Sequence, residues 1–294
     1  MTPTALPPLY LPPYRPRCFA VTFLPMANLE ILRAHLTGLG RVVLGYSGGV
    51  DSALLAVVGA RALGAGRFLA VTGRSPSYPE VQYRNAVELA QRFEVPLLEI
   101  DTYELEDPRY LSNTTDRCYF CKSELWLRLV AVAGERDFDA VIDGTNADDL
   151  GEHRPGLRAA AEHRIRSPLA ELGWTKRDVR QAARELELRT WDAPAAPCLS
   201  SRVLYGLEIT SERLHQVEEG ESFLRSLGVT GDLRVRHHGA KARLEVTPGQ
   251  MGILEAKWEA IEVAFAHFGF AEVEMDPNGY RRGGLLALAP SSTS

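Results

Sequence analysis

Short apolar runs alternate with longer amphipathic stretches through the first two thirds of the chain. The runs are rich in β-branched residues and predict buried strands at 41–46, 67–72, 97–100 and 140–143. Helical spacing of apolar residues predicts helices at about 28–39, 53–64, 79–93, 122–134 and 174–188, with Asn28 and Thr175 as N-caps. The polar stretch 101–116 predicts an irregular loop over the strand ends. This alternation favours a parallel sheet with helices on both faces.

The pattern changes after the proline-rich segment 192–197, which we interpret as a linker. The remainder predicts a helix at 210–227, a hairpin of 233–238 and 242–246, a helix at 250–268 and a strand at 271–275. The predicted fold is therefore α/β, a Rossmann-like parallel sheet followed by a small α+β domain. We expect the first domain to span 28–195 and the second to span 196–284.

The two ends of the chain differ from these domains. Residues 1–27 are too rich in proline for a helix or a central strand and predict a disordered tail, as do residues 285–294. Regular structure is expected to begin just after Met26, and we therefore expect Met26 to be the natural start of the chain.

The composition argues against several classes of protein. The 294 residues carry a formal net charge of -5, which gives no general case for nucleic-acid binding. No apolar run approaches the roughly 20 residues that span a membrane. Four cysteines are too few and too scattered for a disulfide scaffold. We therefore expect a cytoplasmic protein without membrane or nucleic-acid partners.

A loop rich in small residues joins the first predicted strand to its helix. It reads Ser47, Gly48, Gly49, Val50, Asp51, Ser52. The glycines allow a tight turn and close approach of a ligand, and the amides at the helix start favour an anion. The loop differs from the Walker A motif and from the G-x-G-x-x-G dinucleotide turn. The alternative is a tight turn that binds no ligand.

Two carboxylates follow the strand predicted at 140–143. Asp148 and Asp149 come after the segment 144–146, at the same edge of the sheet as the glycine loop. Paired carboxylates at this edge suit magnesium bound together with nucleotide phosphates. The alternative is an N-cap at a solvated helix start.

Three cysteines are candidates for metal or sulfur chemistry. Cys118 and Cys121 form a C-x-x-C pair that precedes the helix predicted at 122–134, and two thiolates at this spacing can ligate one metal centre or form a redox pair. Cys198 lies in a Pro/Ser loop beside Arg202. Three thiolates suit a [4Fe–4S] cluster that has one iron open to an exogenous ligand. The alternative for each cysteine is a small buried apolar residue.

Several basic residues are candidate clamps for phosphate or carboxylate groups. Arg234 and Arg236 share one face of a predicted strand because the side-chain period of a strand is two. With Glu245 on the partner strand they form either a polar pocket or a cross-strand ion pair. The full set of candidate clamps is Arg154, Lys176, Arg202, Arg234 and Arg236.

These motifs together resemble one family. SGGVDS at 47–52 resembles the pyrophosphate loop of the PP-loop ATPases, which cleave ATP between its α and β phosphates. The motifs RCYFCK at 117–122, DGTNADD at 143–149, PCLSSR at 197–202 and LRVRHH at 233–238 stand in the order seen in LarE-type proteins. The resemblance runs from about residue 28 to residue 284. LarE proteins are ATP-dependent sulfur transferases that make the nickel-pincer cofactor of lactate racemase.

The resemblance implies a reaction and its cofactors. ATP with Mg²⁺ would adenylate a carboxylate of pyridinium-3,5-biscarboxylic acid mononucleotide, and sulfur would then displace AMP to leave a thiocarboxylate. In one branch of the family, the cysteine that matches Cys198 gives up its own sulfur. In the other branch, three cysteines hold a [4Fe–4S] cluster that carries a replaceable sulfide. Because this chain has Cys118, Cys121 and Cys198, we favour the cluster branch.

The resemblance also implies roles for individual residues. Cys198 and Asp51 would be catalytic, and Asp51, Asp148, Asp149 and Glu245 are the candidate ligands of magnesium or another divalent ion. Ser201, Arg202, Arg234 and Arg236 would bind the substrate phosphate. The groups that would bind ATP or pyrophosphate are Ser47, Gly48, Gly49, Val50, Asp51, Ser52, Thr72, Gly144 and Thr145.

Other readings of the chain remain open. Thiolation of tRNA is disfavoured by the acidic net charge and by the lack of a basic stripe. Amide-forming ligation, as in NAD or GMP synthesis, needs ammonia and no cysteines. An ATP-binding scaffold would release no pyrophosphate with any substrate. The resemblance also implies a homo-oligomer, since family members assemble into larger complexes.

Overall fold

The computed structural model describes residues 28–151, 155–193 and 197–281. The strands are β1 Val42–Gly45, β2 Phe68–Arg74, β3 Leu97–Asp101, β4 Ala140–Ile142, β5 Leu233–His238, β6 Lys241–Val246 and β7 Glu272–Met275. The α-helices are α1 Leu29–Gly38, α2 Val50–Leu63, α3 Glu80–Arg92, α4 Pro108–Leu111, α5 Arg117–Glu135, α6 Pro155–Glu162, α7 Pro168–Glu171, α8 Lys176–Glu185, α9 Ser211–Ser226, α10 Met251–Ala256 and α11 Trp258–His267. The predicted tails and Arg154 lie outside the described residues.

The first four strands form one parallel sheet in the order β3-β2-β1-β4. Alternate residues of β1 enter two different cores because side chains in a strand alternate between faces. Val42 and Leu44 pack with residues of α1, α2 and α8 on one face. Val43 packs with residues of α5 and α6 on the other. The prediction of a Rossmann-like sheet with helices on both faces is thus confirmed.

The last three strands form a small mixed sheet in the order β5-β6-β7. β5 and β6 are antiparallel, with Arg234 opposite Glu245, whereas β6 and β7 are parallel. Apolar residues of α9, α10 and α11 cover one face of this sheet, among them Leu224, Leu254 and Phe265. The predicted small α+β unit is confirmed, whereas its proposed boundary at residue 196 remains a prediction.

The C-x-x-C pair lies inside a helix, so the prediction that it precedes one was wrong. α5 begins at Arg117 and contains both Cys118 and Cys121 in its first turns. The prediction of an irregular loop at 101–116 was also wrong in part, because a 3₁₀ turn at Glu104–Glu106 and α4 lie there. The Asp107 side chain accepts from the Arg109 amide at 2.9 Å and Pro108 takes the first helical position, which together start α4.

Two further predictions about helices were wrong, whereas the two predicted N-caps were correct. The single helix predicted at 250–268 is interrupted at Lys257, whose φ of -122° lies outside the helical range. The short helices α6 and α7 were not predicted, since few turns give a weak periodic signal. Asn28 and Thr175 cap α1 and α8 as expected, the latter in a full capping box with Asp178.

No helix among the described residues combines the length and the apolar character that crossing a membrane requires.

The segment that carries Cys198 is bonded directly to the parallel-sheet unit. The Leu199 amide donates to the Ser77 carbonyl at 2.8 Å, and the hydroxyls of Tyr110 and Ser200 are 2.5 Å apart. Asn113 is fully buried, and its side-chain amide donates to the carbonyls of Leu204 and Leu207, each at 2.9 Å. These contacts hold the cysteine segment beside the start of α5.

Candidate active site

The glycine loop connects β1 to α2, and the helix start that follows it is open. Gly49 precedes the first helical residue, and no described side chain caps this helix start. The buried Ser52 hydroxyl donates to the Gly49 carbonyl at 3.1 Å and accepts from the Ser47 amide at 3.3 Å, which closes the loop on the first turn. Amides at an uncapped helix start carry partial positive charge and favour a phosphate.

Gly48 is required by both its backbone angle and its surroundings. Its φ is +69°, and a Cβ placed there would lie 2.6 Å from the Ala86 Cβ. We therefore expect Gly48→Ala to lower the free energy of unfolding by about 1–3 kcal/mol and to abolish pyrophosphate binding. Denaturant titration and calorimetry with pyrophosphate measure the two effects.

Gly134→Ala is the matched control for Gly48→Ala. Gly134 lies in α5, and a Cβ there would meet nothing within 4 Å. This variant should be as stable as the parent chain or up to about 1 kcal/mol more stable. Normal pyrophosphate binding by Gly48→Ala would contradict the role of the loop.

Neighbouring side chains hold the loop in place by donating hydrogen bonds to its backbone carbonyls. Tyr78 and Gln82 donate to the Ser47 carbonyl at 3.0 and 2.8 Å. The Thr72 hydroxyl donates to the Tyr46 carbonyl at 2.5 Å, and the Thr72 side chain is 1% exposed. The side chain of Thr72 therefore shapes the loop, and its predicted contact with ATP remains a prediction.

Asp51 lies in the first turn of α2 and has two partners from distant segments. Lys176 Nζ forms an ion pair with Asp51 Oδ2, and Asn146 Nδ2 donates to Oδ1 at 3.1 Å. Gly144 allows this approach, because a Cβ there would lie 2.9 Å from the Ser52 amide nitrogen. The structure thus brings the glycine loop, the end of β4 and the start of α8 together.

The carboxylates that follow β4 bond to nearby backbone amides. Asp148 accepts from the Lys176 amide at 2.8 Å, and Asp149 accepts from the Asn146 amide at 3.1 Å. The Thr145 hydroxyl donates to Asp143 at 2.8 Å. Both carboxylates lie within the 3₁₀ turn Ala147–Gly151, and it is the Asn146 side chain that accepts from the Asp148 amide, at 3.0 Å. A magnesium site at Asp148 and Asp149 remains a prediction.

The three predicted thiols lie close enough to influence one another. Cys118 is an exposed residue, but the protein around its thiol excludes part of the solvent, and this desolvation, followed by the Cys198 sulfur, raises its pKa, while Arg117 and Lys122 act against that rise. Burial, then Glu104 and Cys198, raise the pKa of Cys121 well above its ordinary value. All three cysteines are free thiols. In the described part of the chain, no three His, Cys, Asp or Glu side chains are grouped to hold a metal ion.

Glu104 belongs to this region and was not found by sequence reasoning. It is 2% exposed, and its Oε1 accepts from the hydroxyls of Ser75 and Ser77 at 2.6 and 2.8 Å. Its Oε2 is buried without a hydrogen-bond partner. No motif marks a lone glutamate in a polar stretch, so only the tertiary structure reveals it next to Cys121.

The predicted phosphate clamps meet beside Cys198. Arg202 is 3% exposed, pairs with Glu221 at 2.8 Å, and donates to the Cys198 carbonyl at 2.9 Å. Arg236 donates to the Ser201 carbonyl at 2.9 Å and to Glu245 at 2.9 Å. The structure therefore brings the cysteine segment and the two strands of the hairpin into one site.

Arg234 adds a third buried guanidinium to this site. It is 6% exposed and its guanidinium lies over the ring of Tyr280, 5.1 Å from the centroid. Burial, then the charge of Arg202, lower its pKa. Two of the three guanidinium groups have carboxylate partners, since Arg202 pairs with Glu221 and Arg236 with Glu245, so much of the positive charge is offset within the site. Of the two predicted arrangements, a polar pocket and a cross-strand ion pair, Glu245 forms the ion pair, with Arg236. Binding of a metal ion by Glu245 remains a prediction.

Comparison with known proteins places this architecture in a family. A family model described as NAD synthase matches residues 30–115, the part of the chain that contains the glycine loop. An uncharacterized protein of Synechocystis sp. is 42% identical over 261 residues, which are 88% of this chain and 97% of that protein. An uncharacterized protein of Methanocaldococcus jannaschii is 33% identical over 243 residues, 82% of this chain and 91% of that protein.

A further relative has a functional name. The pyridinium-3,5-bisthiocarboxylic acid mononucleotide synthase of Lactiplantibacillus plantarum is 33% identical over 252 residues. The match covers 86% of this chain and 91% of that protein, so it includes the glycine loop, the cysteines and the arginine cluster. The chain belongs to the LarE-type family of PP-loop, ATP-dependent enzymes.

Proposed function

We propose that this enzyme is an ATP-dependent sulfur transferase in nickel-pincer cofactor synthesis, acting on pyridinium-3,5-biscarboxylic acid mononucleotide. The observation that carries the proposal is the contact of Arg202 with the Cys198 carbonyl at 2.9 Å. It supports one site in which the backbone of the Cys198 segment lies beside buried guanidinium groups. The name of the Lactiplantibacillus plantarum relative supports the substrate class.

The glycine loop would carry out the first half-reaction. A substrate carboxylate oxygen attacks the α phosphorus of ATP, the bond to the β phosphate oxygen breaks, and pyrophosphate leaves. The uncapped amides at the start of α2 hold the leaving pyrophosphate. Asp51, with Asp148 and Asp149 as further candidates, would hold the magnesium that accompanies the phosphates.

The arginine cluster and Cys198 would carry out the second half-reaction. Ser201, Arg202, Arg234 and Arg236 bind the substrate phosphate and place the acyl adenylate near the sulfur. The new carbon–sulfur bond forms as the carbon–oxygen bond to AMP breaks, and the electron pair leaves with AMP. Two such cycles give the dithio product.

The sulfur source is the finer part of the proposal. Cys118, Cys121 and Cys198 would hold a [4Fe–4S] cluster, and the support for this is that Cys198 lies near enough to raise the pKa of both other thiols. In the described part of the chain the three side chains are not grouped to hold a metal ion, so the thiols would have to move closer together to bind iron. When bound, that cluster supplies an iron atom open to a replaceable sulfide. In the alternative, the Cys198 sulfur displaces AMP and forms a thioester with the substrate. Loss of the Cys198 Cα proton to a base then breaks the Cβ–S bond, which leaves the thiocarboxylate on the substrate and dehydroalanine at 198.

The experiment supplies purified enzyme anaerobically with Mg·ATP and the biscarboxylic acid mononucleotide. We expect release of pyrophosphate and AMP, with a product in which sulfur has replaced a carboxylate oxygen in the mass spectrum. Controls replace the substrate with ammonia plus nicotinic acid adenine dinucleotide, or with tRNA. Pyrophosphate release with either control but not with the mononucleotide would overturn the proposal.

The amide-forming alternative retains one supporting observation. The NAD synthase family model matches residues 30–115. That region contains the glycine loop but none of the cysteines at 118, 121 and 198. An amide-forming enzyme would keep full activity after Cys198→Ser, whereas a sulfur transferase would not. Assembly into a homo-oligomer is also part of the proposal, and light scattering of the purified chain measures it.

A further inference from the structure

Arg117 is a buried cation at the first position of α5, next to Cys118. The residue is 4% exposed. Its Nη1 donates to the neutral amide oxygen of Asn113, and its guanidinium lies over the ring of Tyr205, 4.7 Å from the centroid. Its Nε is buried without a hydrogen-bond partner. These contacts hold the guanidinium in place without neutralising its charge.

The lack of a counter-charge separates Arg117 from the arginine cluster. In that cluster, Arg202 and Arg236 each pair with a glutamate. Arg117 forms no ion pair with a carboxylate in the part of the chain that the structure describes. A guanidinium that is removed from water without an anion costs free energy. Such a group is expected where a ligand supplies the missing anion.

Arg117 lies among the groups that the proposed reaction uses. Desolvation raises the pKa of the Cys118 thiol and the charge of Arg117 acts against that rise, so the guanidinium lies near this sulfur. Desolvation also raises the pKa of the Tyr205 hydroxyl, on which Arg117, Cys118 and Cys198 act as well. The ring over Arg117 therefore lies near both thiols. An anion bound to Arg117 would lie in the same small region as the Cys198 sulfur.

We propose that Arg117 binds the second carboxylate of the mononucleotide, the one that is not reacting. The inference rests on the proposed function, in which one pyridinium ring carries two carboxylates and a ribose phosphate. The arginine cluster binds the phosphate and one carboxylate is adenylated, so the other carboxylate stays anionic and needs a cation. A planar guanidinium can donate two parallel hydrogen bonds to a carboxylate, which would orient the ring. In the second cycle the thiocarboxylate, also an anion, would take the same position.

The first test compares two ligands by calorimetry on the iron-free chain without ATP. One is the biscarboxylic acid mononucleotide, and the other is nicotinamide mononucleotide, which keeps the pyridinium ring, ribose and phosphate but has no carboxylate. The parent chain should bind the biscarboxylate at least about tenfold more tightly. Arg117→Gln should weaken binding of the biscarboxylate at least about tenfold and change binding of nicotinamide mononucleotide by less than about threefold. Arg117→Lys keeps the charge without the planar fork and should bind the biscarboxylate with intermediate affinity.

Arg158→Gln is the matched control for the loss of one positive charge. Arg158 forms an ion pair at 3.8 Å with Asp116, the residue before α5, and its side chain is 54% exposed. This variant should bind both ligands like the parent chain. Equal losses in Arg117→Gln and Arg158→Gln would contradict the inference, because net charge rather than position would explain them.

Chemical denaturation distinguishes ligand binding from a structural role. Because the buried charge has no anionic partner, Arg117→Gln should unfold at a denaturant concentration no lower than that of the parent chain. A lower midpoint, together with equal weakening of both ligands, would show that Arg117 only supports the fold, and the inference would then be wrong.

Hydrosulfide is the other anion of the proposed reaction. Unchanged binding of the mononucleotide by Arg117→Gln, with a raised KM for hydrosulfide in sulfur transfer, would assign Arg117 to the sulfur source and overturn the inference. If the mononucleotide binds through Arg117 but receives no sulfur, the proposed function fails while this inference stands. If sulfur transfer proceeds and binding does not depend on Arg117, the inference fails while the proposed function stands.

Discussion

Replacing Cys198 with serine is expected to stop sulfur transfer while leaving adenylation in place. The Cys198 segment lies beside the arginine cluster, whereas the glycine loop, which we propose to bind pyrophosphate, follows β1. We therefore expect thiocarboxylate formation to fall at least about a thousandfold, as for loss of a reacting nucleophile. Pyrophosphate release should change by less than about tenfold. The two products are measured in the same reaction by mass spectrometry and a coupled phosphate assay.

Cys18→Ser is the matched control, because Cys18 lies in the N-terminal segment to which we assign no function. It should transfer sulfur like the parent chain. Repeated turnover by Cys198→Ser would contradict the role of Cys198.

A further variant, Cys118→Ala, distinguishes the two sulfur sources. After anaerobic reconstitution, a cluster requires about four irons per chain, and Cys118→Ala should lose them. Iron retained by Cys118→Ala would contradict the cluster. A chain without iron that transfers sulfur once and then contains dehydroalanine at 198 would establish the sacrificial alternative.

Replacing Arg236 with methionine is expected to destabilise the protein and abolish substrate binding. Arg236 and Glu245 form an ion pair at 2.8 Å, with side chains that are 7% and 10% exposed. Without Arg236, the buried Glu245 carboxylate loses its cation, and such losses cost about 3–5 kcal/mol. Chemical denaturation measures the free energy of unfolding, and calorimetry with the mononucleotide measures binding.

Two comparisons isolate the cause of that loss. Arg236→Met combined with Glu245→Leu should recover most of the stability, because no buried charge is left unpaired, but it should not recover substrate binding. Arg189→Met is the surface control, since its ion pair with Glu88 is 76% and 64% exposed and should contribute less than about 1 kcal/mol. A double variant that remains as unstable as Arg236→Met would contradict the buried-pair explanation.

Local patterns determined much of the first domain. The apolar runs of β1 and β2 are buried on both faces, so their hydrophobic signal is continuous and their assignment followed from it. Gly48, between a strand and a helix, takes a φ of +69° that few other residues adopt, so the loop at 47–52 was found before its surroundings were known. Arg234 and Arg236 were placed on one face by the strand period alone.

Local sequence patterns could not predict short helices or contacts between residues that are far apart in the sequence. Short helices such as α4 and α6 carry too few turns for periodicity, and Lys257 interrupts a pattern that continues across it. The residue types of Lys176 and Asp51 are visible in the sequence, but their contact joins residues 125 positions apart. Glu104 lies beside Cys121 only because the chain after β3 folds back over the strand ends.

The sequence by itself therefore determined the strand–loop–helix that forms the anion site, the identities of the three thiols and the arginine pair of the hairpin. These features depend on local geometry and side-chain period, which neighbouring residues specify. Only the tertiary structure decided that Lys176 reaches Asp51, that Glu104 has a buried free oxygen, and that Cys198 adjoins both α5 and the arginine cluster. Those relations arise because packing against the two sheets fixes side chains far apart in the chain, and no local pattern records them.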